Sequence, residues 1–190
     1  MSELQPSTPQ PLPLGNPGPL GLCGFALTTF VLSAINAKLL GGEHVLDVVV
    51  GIAFFYGGLA QLLAGMWEVK AGNTFGATAF SSYGAFWIAV GSMIKFSLIP
   101  SKTAFGWFLL GWTIFTAMLF ICTLSMTSVL KVLFGFLLVT FALLTMGEFG
   151  LGEQFGQIGG YFGFATAFVA WYAALAGLLV SVNSKIKLPT

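Results

Sequence analysis

Residues 129–147 read VLKVLFGFLLVTFALLTMG, an unbroken apolar run with one charged residue, Lys131, near its start. A helix needs about 20 predominantly apolar residues to cross the roughly 30 Å of hydrocarbon in a bilayer. A charge at the centre of such a helix costs about 2.5 to 3.5 kcal/mol on insertion scales, but the Lys131 side chain is close enough to the end to reach the interface. The run therefore predicts a transmembrane helix.

Five more runs of similar character surround this one, and short polar connections separate them. The remaining runs cover residues 19–40, 45–67, 74–98, 103–124 and 156–182. Almost every charged residue falls at the end of a run, where insertion into a membrane is least costly. The pattern predicts an all-α membrane protein, with six transmembrane helices in a bundle around a narrow pore.

The composition agrees with a lipid environment. Hydrophobic residues make up 57% of the 190 residues and charged residues only 7%, and the mean hydropathy is +0.94. A soluble domain carries about 25% charged residues. The chain is therefore divided into a Pro-rich N-terminal tail (residues 1–18), a six-helix transmembrane domain (19–182) and a short C-terminal tail (183–190).

Several classes of chemistry lack the residues that they require. The net charge is +1 and there is no arginine, so no nucleic-acid partner is expected. Cys23 and Cys122 are isolated within apolar runs, and His44 is the single histidine. We expect no metal, no cofactor and no enzymatic centre, because the runs contain no nucleophile with its base and no cluster of metal ligands.

The lysines give a prediction of orientation. With six helices, both termini lie on one side of the membrane, and that side collects four of the seven lysines: Lys70, Lys131, Lys185 and Lys187. Cytoplasmic loops carry an excess of positive charge. This favours a protein of the cell membrane (plasma or inner) with cytoplasmic termini.

Small residues recur four apart in the last run, as in Gly152, Gly156 and Gly160. Such ridges let transmembrane helices approach closely. The pattern fits packing within one chain and packing between chains equally well.

Neutral polar residues are scattered along the apolar runs, including Thr28, Ser33 and Asn36 in the first and Gln61 in the second. As a set they predict the lining of a pore. For any one of them, hydrogen bonding to a neighbouring helix is the alternative.

The first run begins with the sequence Asn16-Pro17-Gly18-Pro19-Leu20. Asn is a preferred N-cap, and proline suits the first helical position. The free N–H groups of Gly18 and Leu20, at the positive end of the helix dipole, are candidates to bind a carboxylate. Ordinary capping explains the motif equally well.

Three stretches are similar to the acetate uptake transporter family of bacteria, archaea and fungi: NPGPLGLCGF (16–25), YGGLAQLLAG (56–65) and GNTFGATAFSSYGAFW (72–87). The family usually has alanine at position 18. The resemblance implies transport of small monocarboxylates, chiefly acetate and possibly succinate, by six-helix protomers assembled into hexamers. It places the family's hydrophobic constriction on Phe25, Tyr83 and Leu137, with Gln61 as a polar contact beside it.

Two other functions stay open at this point. One is a pore for neutral solutes such as water or glycerol, and the other is a structural or signalling membrane protein without transport. If protons accompany the solute, the candidates to carry them are Glu68, Glu148, Glu153 and the carboxylate of the solute itself.

Overall fold

The computed structural model describes residues 14–190, which form six long helices. These are α1 (Gly18–Asn36), α2 (Asp47–Lys70), α3 (Thr74–Lys95), α4 (Lys102–Thr123), α5 (Ser128–Glu148) and α6 (Glu153–Ser181). All six are long and apolar enough to cross a membrane, and no strand occurs in the described range. The predicted all-α membrane fold with six spans is confirmed.

The outer surface of the bundle is apolar. Phe55, Trp107 and Val180 are 72%, 66% and 78% exposed. Exposed side chains of this size are expected where lipid, rather than water, surrounds the protein. The least buried of the six helices is α4, so it presents the largest share of its surface to the surroundings.

The helices pack mainly as neighbouring pairs. Helix α1 packs on α6 and α2, α2 packs on α3, and α5 packs on both α4 and α6. Between α3 and α5 aromatic side chains fill the space, as in the pairs that Tyr83 forms with Phe134 and Phe141. The inner faces of α1, α3 and α5 thereby enclose the middle of the bundle.

Glycine allows the close contact between α1 and α6. A side chain at Gly160 would collide with the backbone of Ala37, and one at Gly163 would collide with Ser33. Gly159 faces Leu143 and Leu144 of α5 instead. All three glycines therefore serve packing within the chain, and Gly160 belongs to the spacing noted in the sequence.

Helix α2 contains one turn of π-helix, Phe55–Ala60, which the sequence analysis did not predict. Its Gly57 lies against Thr28 of α1, and Gly24 of α1 lies so close that an added Cβ would be 2.5 Å from the carbonyl oxygen of Tyr56. Turns of this kind occur frequently at functional sites. Here the π-helical turn ends immediately before Gln61.

Four helix ends differ from the sequence prediction by three or four residues, and two of these are the end of α2 (Lys70 instead of 67) and the end of α3 (Lys95 instead of 98). Helix α1 ends at Asn36 instead of 40, because Lys38 has a φ of 59° and the amides of Leu39 and Leu40 bond back to the carbonyl of Ala34. Helix α6 begins at Glu153 instead of 156, where an acidic residue in the first turn is favoured by the helix dipole. The predicted N-terminal tail lies mostly outside the described residues.

Candidate functional site

Three buried side chains from three helices meet near the middle of the bundle. Phe25 of α1, Tyr83 of α3 and Leu137 of α5 are 6%, 2% and 4% exposed. The ring centroids of Phe25 and Tyr83 are 5.9 Å apart. Each of the three side chains lines both of two separate cavities. We call the three together the apolar ring, because they separate the two cavities.

The hydroxyl group of Tyr83 points away from this constriction. Its oxygen is 2.8 Å from Oγ1 of Thr116 on α4, and the Thr116 hydroxyl in turn donates to the carbonyl of Trp112. Tyr83 is therefore the donor to Thr116. The side chain is held further by Phe115, whose ring centroid is 5.6 Å away. The apolar ring thus presents carbon atoms to both cavities.

The larger cavity has a volume of about 180 Å³ and lies on the side where the chain begins and ends. Asn16 precedes α1, Asn73 lies between α2 and α3, and Met126 lies between α4 and α5. We call it the termini-side cavity. Besides the apolar ring, its lining residues include Asn16, Gly18, Leu22, Gln61, Glu68, Asn73, Phe75, Phe80, Leu133 and Phe134.

Asn73 holds the polar part of this cavity in place. Its Oδ1 accepts a hydrogen bond from the N–H of Gly76 (3.1 Å), which caps α3, and its Nδ2 donates to Oε2 of Glu68 (2.8 Å). One amide therefore fixes both the start of α3 and the carboxyl group at the end of α2.

Gln61 lies two helical turns before Glu68 on the same face of α2 and lines the same cavity. The side chain is 1% exposed, and its Oε1 has no hydrogen-bond partner among residues 14–190. A buried polar atom without a partner is uncommon and calls for a functional explanation. Because Gln61 lines the termini-side cavity, the unpaired oxygen is available to a bound solute or water.

The smaller cavity lies beyond the apolar ring, and we call it the far-side cavity. Its volume is about 40 Å³, and its polar lining consists of neutral groups: Thr29, Ser33, Asn36, Trp87 and Thr140. Thr29 Oγ1 and Trp87 Nε1 are buried and without a partner in the described part of the chain. The indole N–H and the threonine hydroxyl are both donors that a carboxylate can accept.

Neither cavity contains a positively charged side chain. No lysine lines either of them within residues 14–190, and the chain has no arginine. An anion in this path is therefore met by neutral donors, which hold it less firmly than an ion pair would.

The structure brings together all but two of the predicted site residues. Asn16, Gly18 and Gln61 line the termini-side cavity together with the apolar ring. Leu20 is 45% exposed on the outer side of α1. Thr28 is fully buried, donates to the carbonyl of Gly24 and packs against α2. Neither Leu20 nor Thr28 is among the residues that line the two cavities.

The helix start at Gly18 also differs from the expectation. The N–H of Gly18 donates to Oδ1 of Asn16 at 2.9 Å, and helix α1 begins at Gly18 instead of at Pro17. Pro17 is thus the N-cap residue, Asn16 precedes it, and the Gly18 N–H is occupied by the Asn16 side chain and is not free for a ligand in this structure.

Sequence reasoning overlooked Trp87 and Asn73. Trp87 follows Tyr83 by four residues, so the two lie on one face of α3, and this spacing is visible in the sequence. Asn73 stands three residues before Gly76 at the end of a polar connection, which is an N-cap pattern. The sequence gives no signal that these two side chains lie close to residues of other helices.

Comparison with known proteins identifies a family and several relatives of this chain. Residues 1–190 match the family model described as the GPR1/FUN34/yaaH family. The chain is 47% identical to acetate permease A of Emericella nidulans, over 92% of this chain and 65% of that protein. It is 38% identical to the succinate-acetate/proton symporter SatP of Escherichia coli, over 93% of this chain and 95% of the relative.

A solved structure, that of the bacterial acetate channel SatP, superimposes with a TM-score of 0.86 at 34% identity, covering 94% of this chain and all of the other. The chain spans only about two thirds of the length of its fungal relatives. One of these is ammonia transport outward protein 2 of Saccharomyces cerevisiae, which is 45% identical over 90% of this chain and 64% of that protein.

Proposed function

The chain belongs to the GPR1/FUN34/yaaH family, and we propose that it lets small monocarboxylates, chiefly acetate, cross a membrane. The observation that carries this proposal is the arrangement of the two cavities, which lie on opposite sides of one apolar ring within a single chain. A solute that enters the termini-side cavity has to pass Phe25, Tyr83 and Leu137 to reach the far-side cavity.

Acetate matches the two kinds of surface along this path. Its methyl group suits the carbon atoms of the apolar ring, and its carboxylate suits the donors of Asn16, Gln61, Thr29 and Trp87. A narrow apolar constriction excludes hydrated ions by dewetting. Short acids therefore pass where inorganic anions do not.

The names of the relatives support the same class of solute. Acetate permease A and the succinate-acetate/proton symporter SatP are both named for acetate. Succinate is a longer acid, and the far-side cavity of about 40 Å³ holds only a few non-hydrogen atoms. We propose that acetate is preferred over succinate for this reason.

The proposal also covers the membrane, the orientation and the number of chains. We place it in the plasma or inner membrane with both termini in the cytoplasm, since four of seven lysines lie on that side. The family resemblance further suggests a homohexamer with one path in each protomer. Native mass spectrometry of the detergent-extracted protein tests the number of chains.

The test of the path is to shorten one member of the apolar ring. Leu137→Ala should raise uptake of propionate and lactate relative to acetate by about tenfold, because the methyl groups that restrict the passage are removed. The measurement is uptake of radiolabelled acids into proteoliposomes. Leu175→Ala is the matched control, since Leu175 is 49% exposed on α6.

Other outcomes would change the assignment. An unchanged profile of acids in Leu137→Ala would contradict the role of the apolar ring. Fast osmotic water flow in a stopped-flow assay, without acetate uptake, would favour a pore for water or glycerol. Purified protein that neither binds nor passes a carboxylate would favour a structural or signalling role.

A further inference from the structure

The termini-side cavity contains one buried carboxyl group. Glu68, near the end of α2, is only 4% exposed and lines this cavity. Among residues 14–190 it is the one carboxyl group in that lining, and its one hydrogen bond comes from Asn73. No ion pair with Glu68 is found within this range. A buried acid without a counter-ion is costly to keep, so it calls for an explanation.

The free oxygen of Glu68 faces the path of the solute. Asn73 binds Oε2, and a methyl group placed on Gly18 would lie 3.5 Å from Oε1. Gly18 itself lines the termini-side cavity. Gln61 precedes Glu68 by two helical turns on the same face of α2, about 10 Å along the axis, and reaches toward the apolar ring.

The other titratable groups nearby do not compensate the charge of Glu68. On α2, Nζ of Lys70 lies 5.8 Å from the ring centroid of Trp67, and Trp67 is half exposed. The elements around the cavity also carry Cys23 on α1, Tyr83 and Lys95 on α3, and Lys131 and Glu148 on α5. Of these, only Tyr83 lines the cavity, and its hydroxyl is bonded to Thr116.

The apolar ring favours the uncharged form of a carboxylic acid. It offers no polar atom to an ion, because the one hydroxyl group among its side chains donates to Thr116. Transfer of an ionised carboxylate into such surroundings is far more costly than transfer of the neutral acid. Each acid that crosses therefore carries a proton, which it gains or releases on the termini side.

We propose that Glu68 binds this proton and transfers it to the acid, an inference that rests on the proposed function. Two carboxylates in one small cavity repel each other strongly, so a bound acetate and Glu68 share one proton. A proton from the water of the termini side first binds an oxygen of Glu68. The Glu68 O–H bond then breaks as the proton moves to an acetate oxygen, and acetic acid crosses the apolar ring.

Glu68 is left as a carboxylate and takes up the next proton from water. No electrons are transferred, and one proton accompanies each acid. With the termini in the cytoplasm, this direction is exit, and for entry the steps run in reverse, so that Glu68 takes the proton from the arriving acid. In this scheme Glu68 acts on the termini side of the apolar ring, while the far-side cavity only holds the acid.

The experiment measures protons taken up when acetate binds. Calorimetric titration of the purified protein in nanodiscs, in two buffers of different ionisation enthalpy, gives this number directly. At about pH 8, where free carboxyl groups are ionised, we expect about one proton per acetate for the wild type and about zero for Glu68→Gln. The amide of glutamine keeps the size of the side chain and an acceptor for Asn73.

Two further variants complete the design. Glu68→Asp keeps a carboxyl group and should restore the uptake of about one proton. Glu148→Gln also replaces a glutamate by glutamine, but at the end of α5 that lies away from the termini-side cavity, and should leave the number at about one. Thermal unfolding of each variant verifies that it is folded.

The outcomes separate the two proposals. Uptake of a full proton by Glu68→Gln would overturn the assignment of Glu68 alone. So would loss of acetate binding in a folded Glu68→Gln variant, since Glu68 would then be a binding group rather than a proton carrier. A wild-type protein that binds no acetate would overturn the proposed function together with this inference.

Discussion

The two cavities share the apolar ring but differ in size and chemistry. The termini-side cavity, of about 180 Å³, contains a carboxyl group held by an amide, whereas the far-side cavity, of about 40 Å³, contains only neutral donors. A wide cavity tolerates several solutes and orientations, while a small one accepts only what fits. This difference fits the proposed scheme, in which the acid exchanges its proton in the termini-side cavity and the far-side cavity selects by size.

The strongest test of this contrast is to fill each cavity in turn. We expect Thr29→Phe to lower acetate uptake by about 100-fold, because the added ring occupies the far-side cavity, and Ala79→Leu to lower it by less than about tenfold in the larger cavity. Initial rates of uptake into proteoliposomes give both values. Thr29→Val, which changes the chemistry without adding volume, is the control, and equal losses in the two filled variants would refute the contrast.

A second test removes one donor from the far-side cavity. Trp87→Phe deletes the indole N–H that has no partner among the described residues. We expect the KM for acetate uptake to rise by about fivefold, since one hydrogen bond to a neutral group is worth about 1 kcal/mol. Trp107→Phe, at a side chain that is 66% exposed, is the matched control. An unchanged KM would show that the acid does not bind to Trp87 in this cavity.

The smallest effect on uptake is expected when the hydroxyl group of Tyr83 is removed. Tyr83→Phe keeps the aromatic ring and removes a hydroxyl group that is bonded to Thr116, away from the solute. Acetate uptake should stay within about twofold of the wild type, while the protein loses about 1 kcal/mol of stability, seen as a lower Tm. A large loss of uptake with unchanged Tm would instead show that the hydroxyl contacts the solute.

The six helices could be predicted from the sequence because each run is apolar over nearly the whole thickness of a bilayer. The ends of the helices do not follow from apolar composition alone. Leu39 and Leu40 are as apolar as any membrane residue, and only the left-handed backbone at Lys38 removes them from α1. The π-helical turn at Phe55–Ala60 leaves no periodic signal, because it depends on how α1 packs against Gly57.

The site likewise contains residues that could be predicted from the sequence and residues that could not. Phe25 and Tyr83 stand inside stretches that resemble a known family, and the structure places both in the apolar ring with Leu137. The motif around Gly18 and Leu20 predicts the binding site less well. The sequence does not show that the Leu20 side chain is exposed or that the Gly18 N–H is already bonded to Asn16. The far-side cavity could not be predicted, since its walls come from three helices whose distances depend on the packing of the whole bundle.

The apolar ring is complete within one polypeptide, because Phe25, Tyr83 and Leu137 come from α1, α3 and α5 of the same chain. In the proposed hexamer, each protomer would then contain a complete path of its own. We expect a population of assemblies in which some protomers carry a blocked path to pass acid in simple proportion to the intact ones, with no cooperative threshold.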